Sequence, residues 1–569
     1  MDGTMSQDDA LAEEIDLALE DVRQGRAPAA VERLRALIAA PHYDVRLHYA
    51  LSAALGAAGD REGQRATLAD AQTFHAFQHL NAAGVDLERL SSDLAYATQV
   101  GQQFYNAKLM GPAAAAFGQA ALRPGAPVQV LLSWGLALQH QGRIDEALIA
   151  FEATLSQFPS SRAHEFLLYI SLFAPNGVRR HAEEVRRWAE LYAPAYTPGT
   201  RRFANKALDG RRLKIGYVAP SFTRSQLKQF ILPVLDNHDS SAVEVVLYSA
   251  DAAAEDAPRA DAIRTIGAMS DDDAAALIQR DGVDVLVDLW GHTAGSRLGV
   301  FARKAAPVQA AWINYVQSTG VPAMDYVIHA DGMATDGVDE LFTEKIWRIG
   351  PIMAPFRPGP RLGPSPTPAL RNGYVTFGSF NHPVRLNDET VAAWARILNA
   401  SPESRLVLKY GFFIDPILQR GTRARFAAHG VPAEAIEFQG HSTGEAYLQA
   451  FGEIDLALDP SPCPGGTTSS DAVSNGVPLL TLRGADFYSR IGTLRLEPLG
   501  LDQLIAESWD DYVARALAVT ADAEALNALR STMQERFDRS AIRDEAGFTR
   551  RLEDAFGQMY QRWWKNPSA

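Results

Sequence analysis

The chain has 569 residues, material for about four domains of roughly 150 residues or two large ones, and its 47% hydrophobic and 21% charged content excludes disorder for the bulk of it. With 54 Lys and Arg against 68 Asp and Glu the net charge is −14, which excludes general nucleic-acid binding but leaves room for one local basic pocket. The single cysteine, Cys463, excludes an intrachain disulfide and a cysteine-cluster metal site; the acidic start lacks a signal pattern, no apolar run reaches the roughly 18 residues of a membrane span, and a soluble cytoplasmic protein without a membrane partner is expected. From Leu11 to Ala195 the text is rich in Ala, Leu, Glu and Arg with hardly a β-branched run, which predicts helix after helix. Within it a 34-residue register places Gly135, Leu138, Ala147 and Phe151 where Gly101, Phe104, Ala113 and Phe117 stand one unit earlier, and Pro159 closes the later unit. Small residues where two helices touch, with larger ones around them, are the grammar of tetratricopeptide repeats. Earlier pairs (Leu11 to Pro41, Val45 to about Phe74) and a later one (Ser161 to Ala195) fit more loosely, and the text from His75 to Asp93 breaks the period. A generic helical bundle is the plainer alternative. Stacked pairs would leave a long concave face suited to an extended peptide, and Tyr196 to Arg202 reads as the exit from the array.

After Leu213 the period changes. Apolar runs at Leu213–Ala219, Val243–Ser249, Val283–Leu289 and Tyr326–His329 alternate with amphipathic stretches, and Pro-rich text from Pro351 to Pro368 precedes a second set at Tyr374–Phe380, Arg405–Tyr410, Ile436–Phe438, Asp455–Asp459 and Pro478–Leu482. This alternation predicts two doubly wound parallel sheets in tandem, with long helices at the C-terminus and a cleft beyond the carboxyl ends of the strands. The expected organisation is α + α/β: a helical-repeat domain over 11–200, one Rossmann-like lobe over 211–350 and a second over 370–569 that includes the terminal helices.

Three segments are candidates for chemistry. Asp459-Pro-Ser-Pro-Cys-Pro-Gly-Gly-Thr-Thr-Ser-Ser-Asp471 follows an apolar run and opens a helix. Gly465 and Gly466 would let amides approach a ligand, Thr467 and Thr468 would aim donors at an anion, and Asp471 could accept from a ribose diol. The same text also reads as a capped loop without a ligand. In Gly378-Ser-Phe-Asn-His-Pro-Val-Arg-Leu-Asn387, Asn381 and His382 can reach a base or a sugar and Arg385 suits a phosphate, or the arginine is simply solvated. In Asp288-Leu-Trp-Gly-His-Thr-Ala-Gly-Ser-Arg297, His292 sits between glycines at a strand end, placed for acid–base work or held as a structural histidine. No Asp-x-Asp cation site is apparent, and Asp271-Asp-Asp273 reads as a solvated helix start.

The order of helical repeats, Gly-His-Thr-Ala-Gly-x-Arg (291–297), Ala-Pro-Val-Gln (306–309), Met-Asp-Tyr (324–326), Phe-Gly-Ser-Phe-Asn (377–381), Gly-Gly-Thr-Thr (465–468) and Ser-Arg-Ile-Gly (489–492) resembles the bacterial O-linked N-acetylglucosamine transferase family, glycosyltransferase family 41. The resemblance runs from about Leu11 to the C-terminus. It implies a GT-B fold and a metal-independent, inverting enzyme without a cofactor that moves N-acetylglucosamine from UDP-GlcNAc to Ser or Thr of a protein held by the repeats. It places Thr467, Thr468 and Asp471 at the diphosphate and ribose, Arg385 where the family has a phosphate lysine, and His382 where a glutamine reads the nucleotide. Tyr447 falls where a histidine stacks on uracil, and His292 and Arg297 face acceptor and sugar. The chain departs from the family at Ser225, where an active-site histidine is usual, at Tyr315-Val-Gln-Ser-Thr-Gly320, and at Arg385 itself. These departures leave two alternatives: a related flagellin glycosyltransferase with a CMP-nonulosonic acid donor, or a repeat scaffold whose transferase half has decayed. His292 is the first candidate for the general base, and the leaving phosphate oxygen the second.

Overall fold

The computed structural model describes residues 7–38, 44–193, 202–223, 227–251 and 259–566. Eleven α-helices among them run from Gln7 to Tyr192, antiparallel neighbour on neighbour. The pairs Leu94–Asn106 with Met110–Ala121 and Val128–His140 with Ile144–Gln157 repeat the 34-residue register as geometry. A Cβ on Gly101 would lie 2.5 Å from the Phe117 ring, and one on Gly135 would lie 2.5 Å from the Phe151 ring. The period fails between His75 and Asp93 because the helix Arg61–Ala82 is overlong and a six-residue helix, Leu87–Ser92, is inserted behind it.

The remainder forms two parallel sheets. The first holds β1 (Leu213–Ala219), β2 (Val243–Ser249), β3 (Ala262–Thr265), β4 (Val285–Asp288), β5 (Val308–Ala311), β6 (Tyr326–His329) and β7 (Lys345–Arg348), in the order β3-β2-β1-β4-β5-β6-β7. The second holds β8 (Thr376–Ser379), β9 (Arg405–Lys409), β10 (Ile436–Gln439), β11 (Leu456–Leu458), β12 (Leu479–Leu482) and β13 (Ile505–Ala506), in the order β10-β9-β8-β11-β12-β13. Each is a doubly wound sheet whose order reverses between the first and fourth of its strands. Helices covering both faces explain why the central strands are apolar throughout rather than alternating. The fold is thus a helical region followed by two Rossmann-like lobes, the GT-B arrangement.

The last helix crosses from one lobe to the other. Glu545–Lys565, grouped by sequence with the second lobe, packs on the first. Phe548 stacks on Trp312 at 5.9 Å, Glu553 accepts from the Asp239 amide at 2.9 Å and pairs with His238 Nδ1 at 2.8 Å, and the Tyr560 hydroxyl donates to the Lys206 carbonyl at 2.8 Å. Among the described residues no helix is long and apolar enough to cross a membrane.

Candidate functional site

In an open α/β sheet ligands bind beyond the strand ends at the reversal of strand order. In the second sheet that point lies between the paired strands β8 and β11. The two segments that follow these strands are those of Arg385 and of the glycine turn. They meet: Arg385 Nη1 donates to the carbonyls of Cys463 at 2.9 Å and Pro464 at 2.6 Å, and its guanidinium also engages the Tyr488 hydroxyl.

Asp459, at the end of β11 and fully buried, staples the turn. Its carboxylate accepts from the Gly465 amide at 2.7 Å, the Ser469 hydroxyl at 3.0 Å and the Thr481 hydroxyl at 3.2 Å. Burial raises its pKa to about 6, against the lowering effect of those donors and of Arg385. The two glycines therefore differ. The Gly465 amide is engaged by Asp459 and is not open to a ligand, and a Cβ there would fall 2.3 Å from Ser469 Oγ. Gly466 has nothing within 4 Å of that position. It caps the helix Thr467–Ser474 without a side-chain hydrogen bond, so the amides of Thr467 and Thr468 are left at an uncapped, partly exposed N-terminus. The Thr468 hydroxyl donates to Asn381 Oδ1 at 3.1 Å, and Asn381 Nδ2 reaches Ser379 at 3.2 Å. One turn on, Asp471 accepts from the Tyr447 hydroxyl at 2.9 Å and from Gln229 of the first lobe. Burial raises it to about 6 as well. The Tyr447 ring leans on Phe451 and Phe380.

Two residues are placed differently from the sequence expectation. The Val384 amide donates to His382 Nδ1 at 3.0 Å, so the neutral ring carries its proton on Nε2 and donates to His140 Nδ1 at 3.0 Å. His140 Nε2 in turn donates to the Tyr105 hydroxyl at 3.1 Å, and its ring stacks on Phe412 at 4.2 Å. Both ring nitrogens of His382 are thus occupied within the protein, and it joins the helical array rather than reading a nucleotide with its ring. Arg297 is engaged within the first lobe. It donates to the carbonyls of Ile266 at 2.9 Å and Met269 at 3.1 Å and pairs with Asp271 at 3.2 Å, fastening the segment after β3. Ser225 lies outside the described residues.

His292, on the segment after β4, is 1% exposed. Its Nε2 donates to the Thr319 carbonyl at 2.7 Å, and the Thr319 amide donates to the buried Glu344 at 2.7 Å. Trp188 and Tyr315 wall the ring at centroid distances of 4.5 and 5.5 Å, and Tyr315 is bonded in turn to His181. His292 Nδ1 has no hydrogen-bond partner; the nearest carboxylate, Glu165 of the helical array, is 3.9 Å away. The array also touches the other side of the site. Cys463 Sγ contacts the Leu172 carbonyl at 3.6 Å, and the Arg385 guanidinium lies 6.0 Å from the centre of the Phe173 ring. Among the described residues no three His, Cys, Asp or Glu side chains gather as a metal-ligand set. Sequence reasoning missed Asp459, Tyr488 and His140 as parts of this site; only Asp459 left a signal, a carboxylate at a strand end ahead of paired glycines.

Comparison with known proteins agrees with this fold. The glycosyl transferase family 41 profile matches residues 158–349 and 367–552. A probable UDP-N-acetylglucosamine–peptide N-acetylglucosaminyltransferase SPINDLY of Hordeum vulgare is 33% identical over 67% of this chain and 41% of its own length, and its counterpart in Oryza sativa is 34% identical over 67% and 42%. The chain spans about two fifths of the length of these relatives. The solved O-GlcNAc transferase of Thermobaculum terrenum superposes with a TM-score of 0.75 at 28% identity, over 92% of this chain and 99% of that one. With two tandem doubly wound sheets and a profile match across most of both, the chain belongs to glycosyl transferase family 41.

Proposed function

We propose that this protein is an inverting protein O-glycosyltransferase that transfers a sugar, N-acetylglucosamine from UDP-GlcNAc, to Ser or Thr of an acceptor protein bound in the groove of its tetratricopeptide-like array. The carrying observation is the meeting of Arg385 with the Cys463–Thr468 turn at the strand-order reversal, where an uncapped helix N-terminus adds its dipole to a fixed guanidinium. Charge grows on the departing phosphate as the bond to the anomeric carbon breaks, and preorganised donors aimed at that charge give the greatest stabilisation such a site can supply. In this reading Arg385 and the amides of Thr467 and Thr468 fill that role without a metal or cofactor. Tyr447 and Asp471 take the base and ribose.

The acceptor hydroxyl attacks the anomeric carbon from the opposite face, the carbon–oxygen bond to the phosphate breaks, and the hydroxyl proton leaves with a phosphate oxygen. His292 is assigned to positioning instead. Its ring is walled by Trp188 and Tyr315 and oriented by Thr319, which keeps an incoming hydroxyl from it. The test is Arg385→Ala with UDP-GlcNAc and a protein acceptor: turnover is expected to fall by about a hundredfold or more, the scale of one lost transition-state donor, in a protein that keeps its fold. Unchanged turnover refutes the mechanism.

A further inference from the structure

A guanidinium carries five N–H donors and stays charged in proteins, so one that is buried needs acceptors. Arg530, 3% exposed, donates to the carbonyls of Ser365, Ile454 and Phe451. Arg385 has the Cys463 and Pro464 carbonyls. Arg495, 4% exposed in the short helix Thr493–Leu496, has none. Among the described residues nothing accepts a hydrogen bond from its side chain, and its Nε is sealed from solvent without a partner. Burial lowers its affinity for its proton to about 10, the mark of a cation whose surroundings do not compensate it.

Its place in the fold is specific. Gly492 stands where a Cβ would lie 2.1 Å from Thr481 Oγ1 and 2.8 Å from Asp459 Oδ2, which sets this segment directly against the staple of the glycine turn. The guanidinium feels Asp459 electrostatically without forming an ion pair, and it reaches across to the Phe230 ring of the first lobe at 5.9 Å. The residue before Phe230 is Gln229, which bonds to Asp471. Arg495 therefore occupies the seam between the lobes, beside the turn that Arg385 faces.

We propose that Arg495 is a second anion-binding residue of the donor pocket, taking an oxyanion that the donor carries in addition to the phosphate held at Arg385 and Thr467. The proposal rests on the donor site described under the proposed function and narrows its substrate class to donors with two anionic groups. That second oxyanion is the other phosphate of a nucleoside diphosphate sugar, next to the departing one at Arg385, or the carboxylate of an acidic sugar on a nucleoside monophosphate; both match the fork of a guanidinium.

The test is calorimetric titration of UDP, UMP, CMP and CMP-N-acetylneuraminic acid into wild type, Arg495→Met and Arg495→Lys. A loss of about tenfold or more for UDP in Arg495→Met, well beyond any loss for UMP, assigns the second phosphate of the diphosphate; the same loss for CMP-N-acetylneuraminic acid, with CMP unchanged, assigns the carboxylate. Arg495→Lys should fall between, keeping the charge and losing the fork. Equal affinities of wild type and Arg495→Met for all four ligands overturn the proposal while leaving the donor site standing, whereas a wild type that binds none of them overturns both. Thermal unfolding of the ligand-free proteins is a separate readout. Arg495→Met should melt at the same temperature or higher, since it removes an uncompensated buried charge; a clearly lower melting temperature makes Arg495 a packing residue and overturns the proposal.

Discussion

Asp459 offers the sharpest test of how the site is held. The carboxyl group is buried behind the glycine turn, accepts three hydrogen bonds, and is shifted from the ordinary aspartate value of 3.8 to about 6. A raised value means that the folded state holds the proton more tightly than the unfolded one, so this group's contribution to stability is largest when it is protonated and declines as the pH rises from about 4 through 6. Asparagine imitates the protonated form. Its oxygen still accepts from the Gly465 amide and the Ser469 hydroxyl, and its NH₂ can donate to the Thr481 oxygen. The unfolding free energy of Asp459→Asn minus that of wild type should therefore rise by about 1.4 kcal/mol between about pH 5 and pH 8, one unit's worth of the shift, whatever its value at either pH. Taking the difference removes the other titrating groups from the comparison. Asp459→Ala should behave differently, orphaning a buried amide and two hydroxyls and losing about 2–4 kcal/mol at both pH values, together with the nucleotide affinity of the loosened turn. Urea titrations at the two pH values measure both. An asparagine variant whose difference from wild type does not change with pH refutes the assignment of a buried, mostly protonated carboxyl group at pH 5.

Gly135→Ala places a methyl group 2.5 Å from the Phe151 ring, and Gly101→Ala does the same against Phe117; each should destabilise the helical array by about 1–3 kcal/mol in denaturant titration, with Phe151→Leu partly rescuing the first. His140→Leu leaves the His382 Nε2–H without an acceptor and should lower stability by about 1–3 kcal/mol. Burial pulls His140 from 6.5 down to about 4, so wild type must gain a proton on unfolding in that window and should lose stability as the pH falls through it; the leucine variant should show a shallower decline.

Much of the frame is legible in the sequence because it follows from local periodicity. β2 and β6 lie where the apolar runs Val243–Ser249 and Tyr326–His329 predict, and the helical register reappears as paired glycine–phenylalanine contacts. The strands that sequence reasoning missed are short or marginal. β3 and β7 are half-exposed edge strands of four residues, β13 has two, and β5 is Val-Gln-Ala-Ala, whose small and polar residues give no β signal although it sits mid-sheet. At the site the two loops at strand ends were visible because glycine, threonine and arginine after an apolar run have few other uses. The partners of single side chains were not. His382 bonds to a residue 242 positions away and Arg297 to carbonyls about 30 away, and no spacing rule anticipates either. Arg495 is the extreme case, since what marks it is the lack of a partner once the chain has folded.

The contacts around Arg385 also bear on what the helical array is for. An accessory module for holding a peptide would need only a linker to the catalytic lobes. Here the helix Ser161–Ser171 and the turn after it place Tyr169, Leu172 and Phe173 against Arg385 and Cys463, while His140 holds His382 from the preceding pair and Trp188 of the following helix covers His292. The array thus packs against the Arg385–Cys463 turn on one side and the His292 cluster of the first lobe on the other. The profile match begins at residue 158, so the last helical pair falls inside the family profile rather than ahead of it. Buried contacts of this kind are lost together when one side moves, because a packed interface has few intermediate arrangements. Under the proposed function, an acceptor that shifted the array at this pair would act on Arg385 through Phe173 and the Cys463–Leu172 contact.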